Sequence, residues 1–294
     1  SSNTKKILNS NINNLFKSNR EMERINNFDS NNINSEIDKK IIDIGKPLFI
    51  DHLIYPILGI LETIIVSKFS GLDKLAVQTL GDQLFGIFLN FFSFIPPILL
   101  PLISKLEDNN KEMLLIDLSF ISVLISLIVG FTISLIVSLN LKTVLFSGFF
   151  ISGDRISDNI KDALESYFKI KFLSFPICLY CGVMFSILKG NMNFDLLIKS
   201  NFLCNLMYIL LNPFFVKVYG LQGINFLCIF IDSLKSAIFT YNLIKMIGYK
   251  KFAKYFRNIY YDPKLFSKRL FERFYYFLNN GILLQFKNIV RKIT

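Results

Sequence analysis

Apolar runs long enough to cross a bilayer recur along this chain, separated by short polar breaks. They fall at about Lys46–Ser67, Gln78–Ile103, Met113–Leu139, Tyr167–Leu188, Phe194–Val218 and Gln222–Ile247. A helix needs about 20 such residues to cross roughly 30 Å of hydrocarbon, so each run predicts a transmembrane helix and the fold class is all-α integral membrane. Gly71-Leu72-Asp73 closes the first run, Glu107-Asp108-Asn109-Asn110 the second, Lys189-Gly190-Asn191 the fourth and Tyr219-Gly220 the fifth. The longest loop, residues 140–166, holds GDRISDNIKDALES, which reads as a short amphipathic helix.

Both flanks differ from this pattern. Residues 1–43 are Asn-rich and polar, cannot bury enough surface to fold, and are expected to be a disordered cytosolic tail. Residues 44–247 would form the six-helix unit, 248–269 a basic linker, and 270–294 the start of a seventh helix. A chain that stops there is expected to be one half of a longer protein whose second lobe it lacks.

The first run carries polar groups where lipid tolerates few. Asp51, His52, Tyr55 and Glu62 lie inside IGKPLFIDHLIYPILGILETIIVSK, residues 44–68. A carboxylate at bilayer depth costs about 2.5 kcal/mol or more, so it faces a cavity or a partner. Glu62 is the foremost candidate for proton or cation coupling, since a carboxylate can carry a proton or ligate a hard cation. Asp51 precedes it by eleven residues, within about 20° on one helical face, with Tyr55 between. The competing reading leaves Asp51 and His52 solvated at the interface. In the sixth run Asp232 and Lys235 are one turn apart, with Asn225 on the same face. They form either a self-neutralising pair or a second cavity carboxylate. Asp82 and Asn90 in the second run are weaker candidates for the cavity wall. Pro47, Pro56, Pro96, Pro97, Pro101, Pro176 and Pro213 recur in or beside the runs, where each removes a backbone hydrogen bond and bends its helix.

Composition narrows the class. The chain has 294 residues, 52% of them hydrophobic, and a net charge of +11. The basic residues flank the apolar runs, so membrane topology accounts for the charge and nucleic acid is not an expected partner. Lys and Arg concentrate after the sixth run, which places both termini in the cytosol or its organellar equivalent. With 32 Phe and no Trp, aromatic usage is skewed enough to reflect AT-rich coding, and the aromatics receive little functional weight. Cys178, Cys181, Cys204 and Cys228 lie in apolar runs and read as buried small residues, with no metal set or cofactor implied. No nucleophile–base pair or phosphate loop marks an enzyme.

Four segments together resemble the multidrug and toxic compound extrusion (MATE) family. GILETIIVSKFSGLDKLA (59–76) is similar to its first-helix pattern, and the second run exits through Pro101 as the family's second helix does. SFPICLYCGVMFSILKGNMNFDLLIKS (174–200) resembles its Pro-containing fourth helix and turn. LLNPFFVKVYGLQGINF (210–226) resembles its Asp-Pro and Gly-x-x-Gly hinge, and FLNNGILL (277–284) the seventh-helix opening of plastid-type members. The resemblance implies the N-terminal lobe of a twelve-helix, inverted-V antiporter that exchanges organic cations, drugs or small organic acids for H+ or Na+ across a plasma or organelle membrane. Its partners would be the bilayer, a small-molecule substrate and the second lobe. It maps the acidic first-helix position onto Glu62. The fifth-helix Asp becomes Asn212, the Asn one turn earlier Tyr208, and the sixth-helix Thr Cys228. These departures leave the coupling ion open between H+ and Na+. Two alternatives remain: a lipid-linked precursor flippase of the same superfamily, whose cationic cavity would rely on Lys235 and Lys189 or Lys199, and a non-transporting membrane scaffold or remnant.

Overall fold

Apolar side chains on these helices point both inward and outward, as a lipid-facing bundle requires. On the third run Leu118, Ile121 and Ile125 are almost fully buried, while Ile128, Phe131 and Leu135 are half to two-thirds exposed. The computed structural model describes residues 56–108, 112–146, 158–191 and 194–293, with a few positions between 42 and 54. Residues 42, 45 and 49, in the unit Ser1–Ile50, are helical. Asp51–Thr294 forms one compact unit. Among its described residues every regular element is a helix. In chain order these are α1 (residues 56–70), α2 (Leu72–Phe92), α3 (Ile95–Asp108), α4 (Glu112–Leu139), α5 (Leu141–Phe146), α6 (Asp158–Leu173), α7 (Phe175–Gly190), α8 (Phe194–Tyr219), α9 (Leu221–Ile247), α10 (Tyr249–Tyr261) and α11 (Pro263–Ile293).

Three helices are individually long and apolar enough to cross a membrane: Met113–Leu139, Leu196–Tyr219 and Leu221–Ile247. Two bent pairs qualify jointly, α2 with α3 at 43° and α6 with α7 at 42°. These five segments coincide with the second to sixth expected runs. The first run lies partly outside the described residues, as do Asp51, His52, Tyr55 and Pro47.

The α6–α7 bend is built by sequence. Pro176 has no N–H to donate to the Phe172 carbonyl one turn back, which would be left unpaired in an apolar core. The Ser134 hydroxyl of α4 donates to that carbonyl instead, at 2.8 Å. α4 comes this close because Gly130 has no side chain: a Cβ there would lie 2.6 Å from Pro176 Cα. Ser174, at the corner, returns both its N–H (3.0 Å) and its hydroxyl (2.7 Å) to the Lys171 carbonyl. Pro213, by contrast, sits inside a continuous α8. The GLQG corner after α8 needs both glycines. Gly220 has φ +62°, and a Cβ on Gly223 would meet the Phe215 carbonyl at 2.2 Å.

α7 packs against α2, α3, α4, α6, α8 and α9 and is the axis of the bundle. The abundant phenylalanines have a structural job. Phe85, Phe88 and Phe92 of α2 meet Phe168 and Phe172 of α6 and Phe175 of α7, with Phe172 and Phe175 stacked at 5.2 Å. These rings clamp α2 onto the bend.

The stretch expected as a basic linker, 248–269, is helical and docked. α10 carries Lys250, Lys251, Lys254 and Arg257 on exposed positions and buries Tyr255, whose hydroxyl donates to Asp117 Oδ1 of α4 at 2.8 Å. Arg269 of α11 reaches the same oxygen at 3.4 Å. Burial and the hydrogen bond to Asp117 hold the Tyr255 phenol well above its usual range, so it remains a donor. The second helix of this region starts at Pro263, before the expected boundary, because Asp262 already breaks α10 from α11 and Phe266, Leu270, Phe274 and Phe277 pack continuously on the bundle.

The bend and the α10 anchor can each be tested by removing one hydroxyl. Ser134→Ala orphans the Phe172 carbonyl and lowers stability by about 1–3 kcal/mol, seen as a lower melting temperature of the purified protein. An unchanged melting temperature would show that the bend does not need this donor. Tyr255→Phe speeds amide exchange across α10 by about tenfold or more, since it removes a hydrogen bond to a carboxylate. Unaltered exchange would mean that Asp117 does not hold α10.

Candidate functional site

Glu62 projects from α1 toward α2, where a cleft of about 350 Å³ is lined by Glu62, Thr63, Gln78, Thr79, Asp82 and Gln83, among others. The Gln78 amide donates to Glu62 Oε1. The Tyr208 hydroxyl of α8 also donates toward Glu62, and the Cys228 thiol of α9 contacts Tyr208 at 3.8 Å. Side chains from α2 and α8 therefore hydrogen-bond this one carboxylate, both of them neutral, and α9 backs Tyr208 through Cys228.

Deeper in the lobe, beside the cleft, is an ion pair. Lys171 Nζ of α6 lies 3.0 Å from Asp82 Oδ1, with the lysine side chain 13% and the aspartate 36% exposed. The Tyr167 hydroxyl donates to the same oxygen at 2.8 Å. The ammonium also stands over the Phe85 and Tyr167 rings, at 5.5 and 6.0 Å from their centroids. Asn225 is fully buried and anchors α9 to α6 by donating to the Tyr167 carbonyl at 2.9 Å. α2 can lie against Tyr167 because position 81 is glycine: a Cβ there would sit 2.5 Å from the ring.

Asp232 sits apart from the cleft. Its Oδ2 meets the Cys178 thiol at 3.4 Å, and Ser236 and Cys181 contact its backbone carbonyl at 2.7 and 3.4 Å. Lys235 and Lys171 both act on it electrostatically. Asn212 is buried on α8 beside Pro213, and its Oδ1 accepts no hydrogen bond among the described residues; the same holds for Asn225 Oδ1 and Gln78 Oε1. Asn90 is exposed on α2, away from these contacts.

The structure thus places Glu62, Tyr208 and Cys228 in one cluster and Asp82 and Asn225 in an adjoining one. Three contributors were not singled out from sequence: Gln78, Tyr167 and Lys171. The signal for Lys171 was present, because a lysine inside an apolar run is as costly as a carboxylate and needs a partner. Among the described residues Lys171 is the lysine engaged with the cleft carboxylate Asp82; Lys235 lies near Asp232 on α9, and Lys189 and Lys199 belong to the end of α7 and the start of α8.

No protein-family model matches the sequence, and no curated protein matches it either. Solved structures do match. An outward-facing multidrug resistance MATE family transporter of the MOP superfamily superposes with TM-score 0.58 at 19% identity, over 69% of this chain and 44% of that one. The chain has the MATE transporter fold. A MATE protein in its bent conformation gives TM-score 0.58 at 18% identity, over 69% and 44%. A MOP superfamily transporter from Pyrococcus furiosus, described as having a binding pocket of reverse polarity that suggests a different function, gives 0.57 at 18%, over 69% and 44%. The chain spans less than half the length of each of these MATE-fold proteins.

Removing one member of a buried ion pair leaves the other uncompensated. Lys171→Met therefore destabilises the lobe by up to about 3 kcal/mol, the low end of the buried-pair range because Asp82 is partly solvated. The double variant Asp82→Asn with Lys171→Met recovers most of the lost melting temperature. Equal losses in single and double variants would show that the pair is not coupled.

Proposed function

We propose that this chain is the N-terminal lobe of a secondary active antiporter, with Glu62 as the residue that exchanges the coupling ion. The observation that carries this reading is the position of Glu62. It is a carboxylate on the wall of a cleft in a lipid-facing bundle, hydrogen-bonded by neutral donors from α2 and α8 and in ion-pair contact with no lysine or arginine among the described residues. Such a group can be neutralised by an ion arriving from the aqueous side and charged again when the ion leaves. The MATE fold supports the rest of the reading: alternating access between two lobes, with organic cations, drugs or small organic acids as cargo, and the second lobe closing the far side of the cavity. Bends such as that at Ser174 allow rocking without exposing backbone groups to lipid.

A second reading, a flippase for a lipid-linked anionic precursor, draws on the buried cation Lys171. It is the weaker one, because Asp82 and the Tyr167 hydroxyl already engage that ammonium and its partner.

The test is efflux of a fluorescent organic cation from proteoliposomes holding the full-length protein, with proton and sodium gradients imposed in separate runs. Glu62→Gln abolishes gradient-driven flux while insertion, yield and melting temperature stay near wild type. Wild-type flux in that variant would remove Glu62 from the mechanism.

A further inference from the structure

The charges in the lobe do not balance, and the imbalance falls on one residue. Among the described residues of the cleft and the contacts beside it, three carboxylates, Glu62 (α1), Asp82 (α2) and Asp232 (α9), stand with two ammonium groups, Lys171 (α6) and Lys235 (α9). Lys171 is in direct contact with Asp82 at 3.0 Å, and Lys235 is three residues after Asp232 on α9. Within this described set one negative charge is left over, on Glu62. The other titratable groups facing the cluster are neutral donors or thiols: Tyr167 on α6, Cys178 and Cys181 on α7, Tyr208 on α8 and Cys228 on α9.

Lys171 also borders the cleft, because its partner Asp82 lines that cleft together with Glu62. It is held there from several directions: its carbonyl by Ser174, its ammonium by Asp82 and the faces of Phe85 and Tyr167. An ammonium fixed in this way is a tethered cation inside the carboxylate cluster.

We propose that Lys171 is the ion-selecting residue of the lobe: its fixed charge fills the cation requirement of the cluster and repels sodium, so that Glu62 exchanges a single proton. This rests on the assignment of Glu62 as the coupling residue and goes beyond it by naming the ion and the side chain that chooses it. A sodium ion needs several oxygen ligands and stays charged. Beside Lys171 it meets a like charge in a medium of low dielectric. A proton becomes a covalent O–H on the Glu62 carboxyl, cancels the one unbalanced charge, and brings no further positive charge into the cluster. The Gln78 amide oxygen, on the cleft wall beside Glu62 and without a hydrogen-bond partner among the described residues, is a ligand sodium would use if the ammonium were absent.

The experiment measures radioactive sodium binding to the full-length protein in detergent, with choline as the ionic-strength control, independently of any transported cargo. Wild type is expected to show no saturable sodium binding. Lys171→Met is expected to bind sodium roughly a hundredfold more tightly than wild type, from loss of one nearby like charge at an effective dielectric near 20. Adding Glu62→Gln is expected to abolish that gain, and Lys171→Arg to keep sodium out. Should Lys171→Met fail to fold, Lys171→Gln, which removes the charge but keeps a polar side chain beside Asp82, is read in the same way. Sodium binding by wild type that Glu62→Gln removes overturns the proposal, as does a folded variant lacking the Lys171 charge that still binds none. Neither result depends on cargo flux, so failure here is separable from failure of the antiport reading.

Discussion

The pairing of Lys171 with Asp82 is the contact on which the rest of the lobe's interior is arranged. A bundle that shows lipid an apolar exterior has nowhere to put charge except inside itself, and inside it an unmatched charge is costly. Asp82 accepts both the ammonium and the Tyr167 hydroxyl, which joins α2 to α6. Asn225 then ties α9 to α6 through the Tyr167 carbonyl. With the cation engaged by Asp82, Glu62 is left with amide and phenol donors. That difference in environment distinguishes the ion-paired Asp82 from Glu62, whose hydrogen-bond donors are neutral.

Backbone geometry is what brings the lysine to that place. Lys171 is one turn before the bend, and the same Ser174 that turns the corner holds the Lys171 carbonyl twice. Pro176 creates the need for an outside donor, Ser134 supplies it, and Gly130 removes the bulk that would keep α4 away. The stacked phenylalanines press α2 onto the same corner. A bend that looks like a local defect is thus a joint of four helices, and the charged pair is fixed by it. On the opposite flank Asp117 does a similar service, securing α10 and α11 to α4.

Much of this was legible in the amino-acid order. Apolar runs of bilayer length, the Pro176 bend, the Gly220–Gly223 corner and the exceptional position of Glu62 are local properties, set by residues within a few turns of one another. What could not be read was partnership across the bundle. Asp232 and Lys235 are neighbours in sequence, so they attracted notice, whereas Lys171 and Asp82 meet only after α2 folds onto α6. Tyr167 and Gln78 look like ordinary members of apolar runs until their donors find carboxylates on other helices. The phenylalanines, discounted as compositional drift, proved to be the packing between α2 and the bend. Similarly, the basic stretch after the sixth run read as a linker because its charges dominate its composition. Its buried Tyr255 and the fit of Phe266 against the bundle dock it on the other helices.

On the reading proposed above, Glu62 is, among the described carboxylates, the one that takes up and releases a proton in the membrane. Infrared difference spectroscopy of the full-length protein in lipid, stepped between acidic and alkaline buffer, reads that event without a cargo molecule. The expected result is a protonated-carboxyl band that appears on acidification, shifts in deuterium oxide, and is missing in Glu62→Gln but retained in Asp232→Asn. A band that survives Glu62→Gln, or one that disappears only with Asp82 or Asp232, would contradict it.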